Sequence, residues 1–117
     1  MRAVGIVCEY NPFHNGHLYQ IQKIKEEYPD KAIVCAMSGN YVERGDIAMF
    51  DKYLRADAAI RNGADLVLEI PFPYSIFSAE GYAIAGVEIL SAFQAVDTLA
   101  FGCEQDDIKS LCETADI

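Results

Sequence analysis

Four short apolar runs punctuate the chain: "RAVGIVCEY" from Arg2, "KAIVCAM" from Lys31, "ADLVLEI" from Ala64 and "VDTLAFG" from Val96. Near-continuous apolarity rich in Val, Ile and Leu is the pattern of a parallel strand buried on both faces. Between the runs the spacing turns helical. Leu18, Ile21, Ile24 and Tyr28 recur on one face, Gln20, Lys23, Glu26 and Glu27 fall on others, and Pro29-Asp30 stops the stretch. Asp51 is placed to cap a second helix that reaches Arg61 and ends at Asn62-Gly63. A third helix is predicted from about Ser75 or Ser78 to Phe93, where Ala79, Gly81, Ala83, Ala85 and Gly86 leave it slim enough to pack closely on a sheet. Asp106 and Asp107 begin a short last helix, with no fifth strand after it.

Strands alternating with helices predict an α/β fold, a doubly wound, Rossmann-like parallel sheet with helices on both faces. Right-handed crossovers carry the sheet one way through the first three strands, and the fourth returns beside the first, giving the order 3-2-1-4. Ligands in such sheets bind beyond the strand C-termini at the switch point, here between the first and fourth strands. The segment after the first strand and Phe101-Gly102-Cys103-Glu104 after the fourth therefore meet at one crevice.

Composition narrows the class. With 117 residues, 52% of them hydrophobic and 23% charged, the chain fills one core as a single domain spanning residues 1–117. A net charge of −9 argues against a freestanding nucleic-acid binder. No run is long enough to span a membrane and no cleavable leader is visible, so a cytoplasmic location is expected. Cys8, Cys35, Cys103 and Cys112 form no Cys-x-x-Cys pair, so all four are read as reduced thiols, the first three packing as small hydrophobes within or at the ends of apolar runs.

Both histidines of the chain lie in "EYNPFHNGHLY", residues 9 to 19. Asn11-Pro12 makes a turn after the strand and Asn15-Gly16 leads into the first helix, which sets His17 in the first helical turn and His14 just before it. Backbone N–H groups and the helix dipole favour an anion there, particularly phosphate. Two imidazoles beside them can each donate to phosphate oxygens and stabilise the added charge of a five-coordinate phosphorus. Gly16 leaves room for a nucleotide against the backbone. The chemistry suggested is nucleotidyl transfer at an α-phosphate, with His14 and His17 as catalytic residues.

"HNGH" fits the His-x-Gly-His motif of the nucleotidyltransferase and class I aminoacyl-tRNA synthetase superfamily. More widely, "VGIVCEYNPFHNGHLYQI", "AMSGNYVERGDIAMFDKYLRADAAIRNGADLVLEIPFPYS", "SAEGYAIAGVEIL" and "LAFGCE" resemble the N-terminal domain of the bacterial tRNA(Met) cytidine acetate ligases over nearly the whole chain. The resemblance implies an enzyme that uses ATP, with Mg2+, to activate acetate as acetyl-adenylate. The acetyl group then passes to N4 of the wobble cytidine of elongator tRNA(Met). It also implies an ATP site made of Val7, Cys8 and Glu9, then Tyr10, Asn11, Pro12 and Phe13, then His14, Asn15, Gly16 and His17, then Leu18, Tyr19 and Gln20, with Gly102 opposite. The superfamily's second, downstream phosphate-binding loop has no counterpart after Gly102, and the family's chains are several times longer. The 117 residues are thus expected to be the N-terminal portion of a longer enzyme, incomplete alone, with further ATP and tRNA contacts downstream.

Other residues carry paired readings. In "MSGNYVERG", residues 37 to 45, Ser38 and Asn40 shape a polar loop and Arg44 either meets a phosphate or the RNA or simply pairs with Glu43 or Asp46. Lys52 and Arg55 on the second helix are expected on a solvated face, with substrate contact the lesser alternative. Glu9 either orients a histidine or a metal-bound water or is a turn residue. A zinc pair at His14 and His17 would need further ligands, for which Cys8 and Glu9 are poor candidates, and no metal site is expected. A purely structural role for the two rings, capping loop groups, stays open. Cys103 reads as packing, and "IPFPYS", residues 70 to 75, as a cover for the sheet or a partner surface. Two rival functions remain: an adenylyltransferase acting on a phosphorylated small molecule, and a nucleotide-binding adaptor without chemistry.

Overall fold

The order of elements is β1 (Ala3–Cys8), α1 (Asn15–Glu27), β2 (Ala32–Ser38), α2 (Lys52–Arg61), β3 (Leu66–Ile70), α3 (Ala79–Ala92), β4 (Val96–Gly102) and β5 (Leu111–Asp116). The computed structural model describes residues 2–10, 13–39, 48, 50–71, 79–102 and 111–116. The five strands form one sheet in the order β3-β2-β1-β4-β5. The first four are parallel, with β1 paired to β2 from Ala3↔Ala32 to Cys8↔Met37 and to β4 from Ala3↔Val96 to Ile6↔Ala100. The expected 3-2-1-4 order is what the sheet shows.

Each apolar run splits its side chains between two faces, because neighbouring positions on a strand point opposite ways. Val4, Ile6, Ile33, Cys35 and Met37 meet Ile21 and Ile24 of α1 and Ala59 of α2 on one face. Ala3, Val34, Ala36, Ile70 and Leu99 meet Tyr82, Ala85 and Leu90 of α3 on the other. Removing a side chain such as Ile21 or Ile24 from water contributes roughly 1.5–3 kcal/mol. Helices therefore cover both faces, as the alternation predicts.

The helix ends follow local chemistry. The Asp51 carboxylate accepts from Leu54 N at 2.9 Å to start α2. Asn62 closes it, and Gly63 follows with φ +125°. The slim face of α3 does pack closely: a Cβ on Gly86 would lie 2.7 Å from both γ-methyls of Val7 on β1. The predicted start of α3 at Ser75 or Ser78 falls outside the described residues.

One expectation is overturned. Leu111–Asp116 is a strand antiparallel to β4, from Thr98↔Asp116 to Gly102↔Leu111, and not the tail of a helix. A stretch this short does not hold helical structure by itself, whereas the open edge of β4 offers it a row of hydrogen-bond partners. Asp106 and Asp107 lie outside the described residues.

Candidate nucleotide site at the end of β1

Beyond Cys8 the chain leaves the sheet through Glu9 and Tyr10. Tyr10 adopts φ +51°, a left-handed conformation that costs a bulky residue on the order of 1–3 kcal/mol and persists only where surroundings enforce it. Its ring is buried at 1% exposure and forms the floor of an aromatic seat. Phe13 meets it edge-on with ring centroids 4.8 Å apart, and the His17 imidazole lies 4.7 Å from Tyr10 and 5.5 Å from Phe13. The Tyr10 hydroxyl sits 3.8 Å from Cys35 Sγ. Asn11 and Pro12 lie outside the described residues.

His14 is the N-cap of α1. Its Nδ1 accepts from Gly16 N at 3.1 Å, while His17 Nδ1 accepts from the backbone N–H of His14 at 3.1 Å. The two rings stack with centroids 3.7 Å apart. Because each Nδ1 is an acceptor, each neutral ring carries its proton on Nε2. Gly16 belongs to this arrangement: a Cβ there would stand 3.0 Å from Cε1 of His14. The capping role and the phosphate-binding role are compatible, since the cap uses Nδ1 and leaves Nε2–H as a donor.

Electrostatics favour an anion. The first turn of α1 holds no acidic residue to offset the dipole. Burial, and then the neighbouring His14, push His17 down to about 4, so it is neutral at pH 7 and donates without carrying charge. A helix N-terminus with two fixed donors can hold a phosphoryl group and strengthen its grip as oxygen charge grows, with no covalent step by the protein.

The other sequence candidates are distributed as follows. Val7 and Cys8 end β1 on opposite faces, Val7 against α3 and Cys8 with its Sγ 3.8 Å from the Ala36 carbonyl. Burial pushes the Cys8 thiol up, away from thiolate chemistry. Asn15, Leu18, Tyr19 and Gln20 occupy the first turns of α1, Tyr19 at 37% exposure. Gly102 ends β4, the strand beside β1. Asn40, Arg44, Cys103 and residues 72–75 lie outside the described residues. Among the described residues no three His, Cys, Asp or Glu side chains gather as a metal site.

Two residues differ from their sequence reading, and a third was missed. Ser38 is fully buried, its hydroxyl taken by Arg55 at 3.3 Å. Arg55 is no solvated cation. It is 2% exposed and donates from Nε to the Phe50 carbonyl at 2.8 Å, from Nη1 to the Glu9 carbonyl at 2.7 Å and from Nη2 to the Gly39 carbonyl. Lys52 pairs with Glu69 at 3.0 Å. Tyr82 of α3, unremarked in the sequence, donates its hydroxyl proton to the Cys8 carbonyl at 2.6 Å and accepts from Ser38 N at 3.2 Å. A polar-tipped ring on the inward stripe shared with Ala85 and Leu90 was the available signal.

A doubly wound sheet with a histidine-capped helix at its switch point is the architecture of the nucleotidyltransferase class. The chain belongs to the HIGH nucleotidyl transferase family, whose model matches residues 1–117. It is 43% identical over 117 residues to the tRNA(Met) cytidine acetate ligase of Caldanaerobacter subterraneus subsp. tengcongensis, covering 100% of this chain and 29% of that one. It is 50% identical over 104 residues to the ligase of the same name from Ligilactobacillus salivarius, covering 89% of this chain and 27% of that one. The crystal structure of Thermotoga maritima TmcAL bound with alpha-thio ATP superposes with a TM-score of 0.84 at 42% identity, over 92% of this chain and 26% of that chain. The chain thus spans less than a third of the length of these relatives.

Proposed function

We propose that this protein is the nucleotide-binding portion of an enzyme that activates acetate with ATP and acetylates N4 of the wobble cytidine in elongator tRNA(Met). The observation that carries the reading is the pair of Nδ1-capped imidazoles at the start of α1, in a chain whose relatives bear the name tRNA(Met) cytidine acetate ligase. The ATP α-phosphate sits at the N-terminus of α1. An acetate oxygen attacks the α-phosphorus, the bond to the bridging oxygen breaks, and pyrophosphate leaves. His14 and His17 hold non-bridging oxygens through Nε2–H and stabilise the charge that develops on them. Cytidine N4 then attacks the acetyl carbonyl and AMP departs.

In the same reading the segment from Val7 to Gln20 and Gly102 surround the nucleotide, Asn40 and Arg44 face the second substrate, and the buried Ser38 touches neither. Magnesium would accompany the triphosphate and offset its charge. The tRNA is gripped mainly by parts of the enzyme outside these residues, in keeping with the net charge of −9. The location is cytoplasmic; no described helix is long and apolar enough to cross a membrane.

The test is acetate-dependent pyrophosphate release by the full-length protein, followed by nucleoside mass spectrometry of elongator tRNA(Met). Acetate dependence and N4-acetylcytidine at the wobble position are expected. Release driven by a phosphorylated small molecule instead makes it an adenylyltransferase, and ATP binding without turnover makes it an adaptor.

A further inference from the structure

The last paired residues of β1 and β2 are Cys8 and Met37. In a parallel ladder that pair is closed by the bond from Ser38 N to the Cys8 carbonyl. The Tyr82 hydroxyl engages the same two groups, accepting from Ser38 N at 3.2 Å and donating to the Cys8 carbonyl at 2.6 Å. It ties the two strands together at the last pair of their ladder.

From the opposite face, Arg55 binds the next carbonyl along, that of Glu9, together with Ser38 Oγ and the Gly39 carbonyl on the β2 side and the Phe50 carbonyl before α2. A guanidinium at 2% exposure is costly to desolvate, and burial alone lowers its pKa. An apolar side chain would fill the same volume without that cost. What the arginine adds is direction, since its planar fork binds groups from three segments in one fixed geometry. The residue directly after its Glu9 acceptor is Tyr10, the one described non-glycine residue with positive φ. From Tyr10 the chain passes to the aromatic seat beneath His17.

We propose that Tyr82 and Arg55 are positioning residues of the nucleotide site. One from each face of the sheet, they fix the end of β1 against the end of β2 and set the exit of Glu9 and Tyr10, and so fix where His14 and His17 stand. The catalytic part of this inference rests on the proposed function; the geometric part does not.

The test uses Tyr82→Phe in the full-length protein. Phenylalanine keeps the ring and its packing but removes the hydroxyl that engages both Ser38 N and the Cys8 carbonyl, which loosens the exit of β1. The expected result is kcat for acetate-dependent pyrophosphate release reduced about 10- to 100-fold, the range for a small misplacement of catalytic groups, with KM for ATP little changed. The imidazole 15N resonances of His14 and His17 shift in the same variant. Should that variant not fold, Arg55→Lys, which keeps the charge and loses the fork, is read by the same two measures. Lowered thermal stability with wild-type kcat and unmoved imidazole resonances marks a merely structural role and overturns the proposal. If the wild-type protein shows no acetate-dependent turnover, the functional reading fails alone, and the imidazole shifts still decide the positioning.

Discussion

The Nδ1 of His17 accepts a hydrogen bond from the backbone N–H of His14 at 3.1 Å, so the second histidine of the motif anchors the first. The bond explains the three-residue spacing, since N-cap and third helical position are the two that can reach each other. It also fixes the tautomer of His17. Replacing His17 by Asn removes both the anchor and the Nε2 donor. Adenylate formation is expected to fall about 10²–10³-fold in kcat, as for one lost transition-state donor. Steady-state pyrophosphate release measures it.

Gly16→Ala separates folding from binding. Alanine is the better helix former by up to about 1 kcal/mol, which offsets the loss of the His14 cap, so urea denaturation shows stability within about 1 kcal/mol of the wild type. The new Cβ, 3.0 Å from His14 Cε1, displaces the ring from its cap. ATP affinity is expected to drop about fivefold, equivalent to one hydrogen bond of about 1 kcal/mol, by calorimetric titration.

Gly86→Ala tests the closeness of α3 to β1. A Cβ 2.7 Å from both Val7 methyls is overpacked and is expected to destabilise by about 1–3 kcal/mol. Adding Val7→Ala removes those methyls and restores part of the loss. The double variant is then more stable than the sum of the single changes implies, a coupling that denaturation midpoints reveal.

The pH dependence has a definite sign. His17 titrates near 4 in the folded protein against 6.5 when unfolded, so between these values the unfolded chain binds more protons. The contribution of His17 to stability is therefore complete above about pH 6.5 and is lost as pH falls toward 4. Asp97, held down to about 2 first by Arg2 and further by Lys31, adds a second loss below its unfolded value of 3.8. Urea midpoints from pH 4 to 8 are expected to rise with pH, and His17→Gln to flatten that slope.

Much of this fold was legible because its strands are buried on both faces and its helices carry ordinary caps. Ala3–Cys8 and Leu66–Ile70 stand inside the apolar runs, Ala32–Ser38 overruns its run by the one residue Ser38, and Asp51 and Asn62 bound α2 as their side chains suggest. The histidine pair was placed by motif and turn chemistry alone. Arg55 was misjudged because helix amphipathicity is inverted around it. Tyr53 at 75% and Leu54 at 56% exposure face outward, while Arg55 and Ala59, one turn apart, face inward. Sequence spacing alone assigns the larger apolar residues to the core. β5 was missed because its structure comes from pairing with β4, a non-local term that no window of six residues contains.

The central claim is that Nε2–H of both imidazoles holds the α-phosphate at the start of α1. Long-range 1H–15N correlation spectra of the full-length protein test it most directly, with the two imidazoles assigned by comparison with His14→Gln and His17→Gln. Without nucleotide, both rings are expected as the Nε2–H tautomer at pH 7, and a non-hydrolysable ATP analogue should shift both Nε2 resonances while Nδ1 remains an acceptor. Saturating binding of the analogue with both Nε2 resonances unmoved would contradict the account.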